Sequence, residues 1–294
     1  MQLKDKIAIV TGATRGAGRG IACMLGELGA TVYCTGRSVR GNSAMGNRPE
    51  TIEETAEMVN AYGGVGISVQ VDHTQVEQVK TLIERVKLEQ GRLDILVNDV
   101  WGGDELAESK PFWEHSLPKG LLMQQRAIHS HLITSHYAVP LMIEQKQGLV
   151  IEVTDGDNFS YRGNLFYDLA KISVIRLAYG MAQELRSHNI TALALTPGFL
   201  RSEAMLDHFG VTEENWRDAA KQDPHFIASE TPFYIGRAVA ALASDPNVFK
   251  KSGGVLSTWN LAPEYGFTDI DGRQPNWGKY FAENVAHQES LVST

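Results

Sequence analysis

Two cysteines in 294 residues, Cys23 and Cys34, are too few for a disulfide framework, and two thiols alone are too few for a metal site. Both lie in apolar runs, where a thiol behaves as a small buried hydrophobe. Positive charge is also scarce. Lys+Arg number 27 against 35 Asp+Glu, a net charge of −8, which argues against nucleic-acid binding because that needs a basic surface. No apolar run approaches the ~20 residues of a membrane span. Met1 to Lys6 lead straight into a strand with no signal peptide, so a reducing cytoplasm is the expected location. No repeat, low-complexity tract or linker is visible, and one domain over 1–294 is expected.

What is present begins with Ile7-Ala8-Ile9-Val10, a continuous apolar run expected of a strand buried on both faces of a parallel sheet. Thr11-Gly12-Ala13-Thr14-Arg15-Gly16-Ala17-Gly18 follows, then a helix carrying Ile21, Met24, Leu25 and Leu28 that stops at Gly29, then the strand Thr31 to Thr35. A strand, glycine turn, helix and strand within about 30 residues is the context of a dinucleotide site. Gly12, Gly16 and Gly18 allow a tight turn and close approach to a pyrophosphate, and the helix N-terminus supplies unpaired N–H groups. The spacing is G-x-x-x-G-x-G rather than G-x-G-x-x-G. No acid ends the second strand, where one would hold a ribose 2′-hydroxyl. Arg37 stands there instead and, with Arg15, offers guanidinium groups to a phosphate, which points to NADP(H).

Further strands are expected at Ile67–Val71, Leu93–Val97, Leu149–Val153, Thr191–Thr196 and Val255–Thr258, and helices at Ile52–Tyr62, Val76–Glu89, Ala127–Gln145, Tyr167–Arg186 and Ile235–Ala243. Asp72 could accept from an adenine amino group or cap the next helix. The last structured feature is a pair: Tyr167 and Lys171 lie four apart on a helix and so share one face. An ammonium beside a phenol favours phenolate and lowers the tyrosine pKa from about 10 toward neutrality, giving a group that exchanges a proton at working pH.

Together these features resemble the short-chain dehydrogenase/reductase family, over about residues 5 to 260. The resemblance rests on Thr11 to Gly18, Tyr167 to Lys171, the strand end at Asp72, the turn at Asn98, and Pro197-Gly198 after strand six. The tail segment Glu264 to Arg273 is similar to the family's member 1 branch. The resemblance implies a doubly wound, seven-stranded parallel sheet (Rossmann fold) and hydride exchange between NADP(H) and a carbonyl or alcohol. Tyr167 would be the proton donor. Lys171 would bind the nicotinamide ribose, Thr14 and Asn98 would join the cofactor-binding residues, and Pro197 and Gly198 would flank the nicotinamide. It also implies a homodimer or homotetramer.

Two features depart from the family. Its serine, 12 or 13 residues before the tyrosine, is replaced by Asp155 and Thr154. Thr154 keeps a hydroxyl and is the expected replacement. Asp155 in that place must be protonated or accept from a substrate hydroxyl. The relay asparagine about 40 residues before the tyrosine is missing, and the count lands near Ala127, with Gln124, Gln125 and His129 as polar neighbours. Trp101 is either a core filler or a wall over the substrate. Residues 201–232, with Met205, Leu206, Phe209, Trp216, His225 and Phe226, are expected to form a substrate lid. Its apolar side chains suggest a hydrophobic substrate. The aromatic tail, 260–294, would cover the site or a subunit contact. These departures also leave open a non-catalytic NADP(H)-binding protein on the same fold.

Overall fold

The structure is a computed structural model and describes residues 2–44, 46 and 48–285. Seven strands form one sheet: β1 (Ile7–Thr11), β2 (Thr31–Gly36), β3 (Val65–Gln70), β4 (Ile95–Asn98), β5 (Gly148–Val153), β6 (Ile190–Thr196) and β7 (Val255–Ser257). Their order is β3-β2-β1-β4-β5-β6-β7, and every pairing is parallel. The chain therefore winds outward twice from β1, and the order reverses between β1 and β4. In open α/β sheets the crevice at such a reversal, beyond the carboxyl ends of the strands, is where ligands bind.

The helices are α1 (Gly16–Glu27), α2 (Ile52–Ala61), α3 (Val76–Gln90), α4 (Leu117–Gln124), α5 (Ser130–Gln145), α6 (Leu165–Leu185), α7 (Glu203–Phe209), α8 (Pro232–Ser244), α9 (Thr258–Tyr265) and α10 (Trp277–Asn284). The doubly wound seven-stranded sheet expected from the sequence is present. Its strands are apolar at nearly every position because both faces are covered. Ala8, Val10, Val32, Cys34, Val97, Ile151 and Leu193 pack with residues of α1 and α8. Ile9, Tyr33, Leu96, Val150 and Ala192 pack on the other face with α3 and α5. Cys23 and Cys34 are both buried, and burial pushes the Cys23 thiol up to about 12.

One helix differs from its expected extent. The segment expected from Ala127 begins at Leu117, and α4 joins α5 through a π-helical stretch, Gln125–His129. Pro118 sits at the start of α4, where a proline costs no hydrogen bond. The exposure of Leu117 and Leu121 blurs the apolar periodicity there. Pro140 lies inside α5. Among the described residues no helix is long and apolar enough to cross a membrane. The expected tail 260–294 is described as far as residue 285, and its remainder lies outside the described residues.

Candidate active site

The glycine turn is built backbone against backbone. Gly12 has φ +70°, and a Cβ there would lie 2.5 Å from the Asp99 carbonyl oxygen. A Cβ on Gly18 would lie 2.4 Å from the Gly12 oxygen. Only glycine fits either place. Gly16 has φ +56°, and a Cβ there would make an ordinary contact with Ser202 Cβ at 3.7 Å. Thr14 turns its carbonyl to Arg19 Nε at 3.2 Å. The Gly16 N–H at the start of α1 donates to Glu203 Oε2 of α7 at 2.8 Å, and Glu203 also lies 3.6 Å from Arg19. The position expected for a pyrophosphate thus holds a carboxylate, and two anions cannot share that N–H.

Arg15 lies 3.8 Å from Glu50. The Arg37 guanidinium lies beside Gly102, next to Arg126, which donates to the Gly102 carbonyl at 2.8 Å. Arg37 lines a cavity of about 790 Å³ at the carboxyl ends of β2 and β3, together with Gln70, Asp72 and Arg85. Asp72 Oδ1 accepts from the Thr74 N–H at 2.9 Å and its hydroxyl at 2.7 Å. These bonds close a local turn before α3, whose first turn takes no side-chain cap, so the expected helix-capping role is not the one Asp72 performs.

Asn98 is a correction of place. Expected to reach a cofactor, its side chain is instead fully buried and donates to Ser135 Oγ at 2.9 Å and Glu152 Oε1 at 2.7 Å. Glu152 Oε2 meets His131 Nδ1 at 2.6 Å, while His131 Nε2 meets the Val100 oxygen at 3.0 Å. Both imidazole nitrogens face acceptors, so a proton is held between ring and carboxylate. The Asp99 N–H donates to the Thr11 hydroxyl oxygen at 3.0 Å, and burial pushes the Asp99 carboxyl up to about 7. Sequence reasoning missed this network. Its one signal was Glu152, a charge in the middle of the apolar run Leu149–Val153.

Tyr167 and Lys171 share a face of α6, which Asn164 starts by accepting the Tyr167 N–H at 3.0 Å. The Lys171 nitrogen lies 5.5 Å from the Tyr167 ring centre and 4.0 Å from that of Trp101. Trp101 meets Tyr167 edge-on at 5.3 Å and donates to Asp104 at 2.6 Å. It is a wall beside the tyrosine. The Tyr167 hydroxyl donates to Asp155 Oδ2 at 2.7 Å, whereas Thr154 donates to the Lys171 carbonyl at 2.7 Å. The expectation that Thr154 faces Tyr167 is therefore corrected. Thr154 is nearly buried against α6, and Asp155, 12 residues before Tyr167, stands at the mouth.

The expected lowering of the Tyr167 pKa is also reversed. Burial, then the charge and hydrogen bond of Asp155, push the phenol above its ordinary value. Burial lowers the Lys171 pKa, against the pull of Asp155, Asp99 and Asp104. The lysine lies over aromatic rings, while the carboxylate touches the hydroxyl itself. None of the three polar residues near the missing asparagine reaches the site as a relay. Gln124 donates to the Phe166 carbonyl at 2.7 Å, and Gln125 and His129 are exposed on the helix surface.

At the far side, the Gly198 N–H donates to Glu230 Oε2 at 2.9 Å, and a Cβ on Gly198 would lie 2.6 Å from Trp277 Cβ of α10. Phe209, Trp216 and Phe226 pack on one another, with Met205 and Leu206 against them. His225 pairs with Tyr280 of α10 at 3.3 Å. Glu230 is fully buried; Thr258 donates to Oε2 at 2.8 Å and Oε1 has no partner. Burial pushes its carboxyl up to about 8. Because that exceeds the unfolded value of about 4.3, the native state holds the proton more tightly. Stability is thus lost as pH rises from the unfolded value to about 8. Glu230→Gln should therefore gain on the wild type between pH 5 and pH 8, by at most about 1.4 kcal/mol per unit, and no further above that. Urea midpoints at three pH values measure this, and a pH-independent difference would contradict it.

A parallel sheet whose order reverses beside a glycine turn, and a tyrosine and lysine on one face of α6, are the features of a short-chain dehydrogenase. The family model described as short chain dehydrogenase matches residues 6–209, and the chain belongs to that family. Dehydrogenase/reductase SDR family member 1 of Mus musculus is 37% identical over 279 residues, 92% of this chain and 85% of the relative. The Homo sapiens protein of the same name is 34% identical over 276 residues, with the same coverage. Among solved structures, a short chain dehydrogenase from Mycobacterium thermoresistibile has a TM-score of 0.78 at 21% identity, over 94% of this chain and 92% of that one. A short-chain type dehydrogenase/reductase from Mycobacterium marinum has 0.70 at 22%, over 87% and 94%. As a family member the chain is a hydride-transferring oxidoreductase of CH–OH or carbonyl groups that uses a nicotinamide cofactor.

Proposed function

We propose that the protein is an NADP(H)-dependent reductase of a hydrophobic carbonyl, or dehydrogenase of the matching alcohol, with Tyr167 as general acid or base and Lys171 as its partner. The observation that carries this reading is the shared face of α6, which puts Lys171 within 5.5 Å of the Tyr167 ring beside the Trp101 wall. When bound, NADP(H) supplies or accepts the hydride. The residues present fit it once Glu203 turns away. Gly12 and Gly18 have no room for a side chain, Arg37 lines the cavity beyond β2, and the Gly16 N–H, now bonded to Glu203, would then be free for the pyrophosphate.

In the reducing direction Tyr167 gives its proton to the carbonyl oxygen as the carbon gains a hydride, so the ketone takes up two electrons and becomes an alcohol. The tyrosine must be protonated for this, and burial and Asp155 keep it so. Gly198 and α10 would close the nicotinamide side, and residues 201–232 would act as the lid, excluding water. Cytoplasmic location and a homo-oligomer remain part of this reading.

The test is fluorescence titration with NADPH and NADH beside a broad carbonyl panel. NADPH should bind more tightly, and Arg37→Ala should weaken NADPH by about 10- to 100-fold while leaving NADH unchanged. Equal affinity for the two cofactors in wild type and variant would remove the NADP(H) assignment. Tight cofactor binding with no turnover on any carbonyl would favour the non-catalytic reading.

A further inference from the structure

The mouth beside Tyr167 is built for more than a plain ketone. A carbonyl oxygen only accepts, and a site that binds it by two hydrogen bonds needs two donors. Here Tyr167 is one donor, and the other place holds Asp155, which accepts the Tyr167 O–H instead of donating. Once the Tyr167 hydroxyl turns to a substrate oxygen, Asp155 loses its hydrogen bond and faces that oxygen's lone pairs from the side. A substrate that brought its own N–H or O–H to Asp155 would repair both faults.

The surrounding charge decides which donor. Asp104, fixed by the Trp101 indole at 2.6 Å, adds a second exposed carboxylate to the same mouth. Arg162, the nearby cation, is already engaged. It pairs with Asp168 at 3.0 Å and donates to the carbonyls of Asp155, Asn158 and Ser160. Lys171 lies back over the Trp101 ring. Two exposed carboxylates at the mouth favour a cation over a neutral hydroxyl. Tyr167 Oη and Asp155 Oδ2 are neighbours, so a substrate that meets both presents its oxygen and nitrogen close together, as on adjoining carbons.

We propose that the preferred substrate is a ketone bearing a protonated amine on the carbon next to the carbonyl, or the corresponding 1,2-amino alcohol. The ammonium N–H donates to Asp155 while Tyr167 donates to the oxygen. This rests on Tyr167 being the acid of the hydride-transfer reading, and Asp155 then sets substrate choice.

The test compares kcat/KM with NADPH for 2-(dimethylamino)acetophenone, 2-hydroxyacetophenone, acetophenone and the quaternary trimethylammonium ketone, in wild type and Asp155→Ser. A second readout, independent of turnover, is the Tm shift given by 2-(dimethylamino)-1-phenylethanol against 1-phenylethanol in the presence of NADP⁺. The wild type should favour the dimethylamino ketone over acetophenone by about 100-fold. The hydroxy ketone should fall between them, and the quaternary ion, which lacks an N–H, well below the amine. Asp155→Ser should bring amino ketone and acetophenone near parity, and should lose the Tm shift from the amino alcohol. Equal use of acetophenone and amino ketone by the wild type overturns the proposal and leaves the reductase reading standing. So does a preference that survives in Asp155→Ser. Equal use of the quaternary ion overturns the hydrogen bond to Asp155. No turnover of any ketone by either protein, with NADPH still bound and no Tm shift from the amino alcohol, overturns both readings together.

Discussion

Tyr167→Phe should lower kcat by about 10³-fold, within the 10²- to 10⁴-fold worth of a positioned proton donor, with NADPH affinity unchanged. The change removes one oxygen and keeps the ring that meets Trp101 at 5.3 Å, so the site walls stay in place. The hydroxyl donates to Asp155, which is exposed and can turn to water. Stability should therefore stay within ~1 kcal/mol of wild type. The pH profile gives a second check. Asp155 opposes the phenolate, so it holds Tyr167 in the acid form to higher pH than an ordinary tyrosine. Reductase activity falls when that acid form is lost, so removing the carboxylate with Asp155→Asn should move the alkaline fall to lower pH. Single-turnover rates carried above pH 10, where the raised phenol titrates, measure it. Tyr167→Phe with wild-type kcat, or an alkaline limb unmoved in Asp155→Asn, would remove Tyr167 from the proton transfer.

Glu152→Ala should cost about 3–5 kcal/mol, the usual price of breaking a buried ion pair by one partner. Glu152 and His131 are 0% and 2% exposed. Truncating the carboxylate leaves His131 Nδ1 and Asn98 Nδ2 without the acceptors they now have at 2.6 and 2.7 Å, and it opens a void under β4. Glu152→Gln keeps one acceptor oxygen and should cost less. Urea unfolding at constant m-value measures both, and an alanine variant within ~1 kcal/mol of wild type would show that the pair does not hold this part of the sheet together.

Elements and ligand turn were readable because each has a local cause. The strands are continuous apolar runs, the glycines at 12, 16 and 18 follow a strand and open a helix, and Tyr167 and Lys171 are one helical turn apart. The start of α4 was not readable, because Leu117 and Leu121 point outward and break the apolar stripe. Nor was the choice between Thr154 and Asp155. Adjacent residues at the end of a strand point opposite ways, and which one faces the mouth depends on how the loop leaves β5. Asp99, His131 and Glu152 were legible only as oddities of composition. Their meeting joins β4, α5 and β5, far apart in sequence. The same holds for Glu203 at the Gly16 N–H, a contact across 187 positions.

The place of β1 in the sheet also bears on how the chain is made. β1 pairs with β2 some two dozen residues later, but its other edge waits for β4, where Ala8 meets Ile95. On a ribosome, β1, β2 and β3 emerge well before that partner. Until it arrives, the most apolar strand of the nascent chain keeps one side unzipped, and closing a loop of that length is slow. Such an interval is when a newborn protein sticks to its neighbours, so yield during synthesis should depend on chaperone supply more than the finished molecule's stability would suggest.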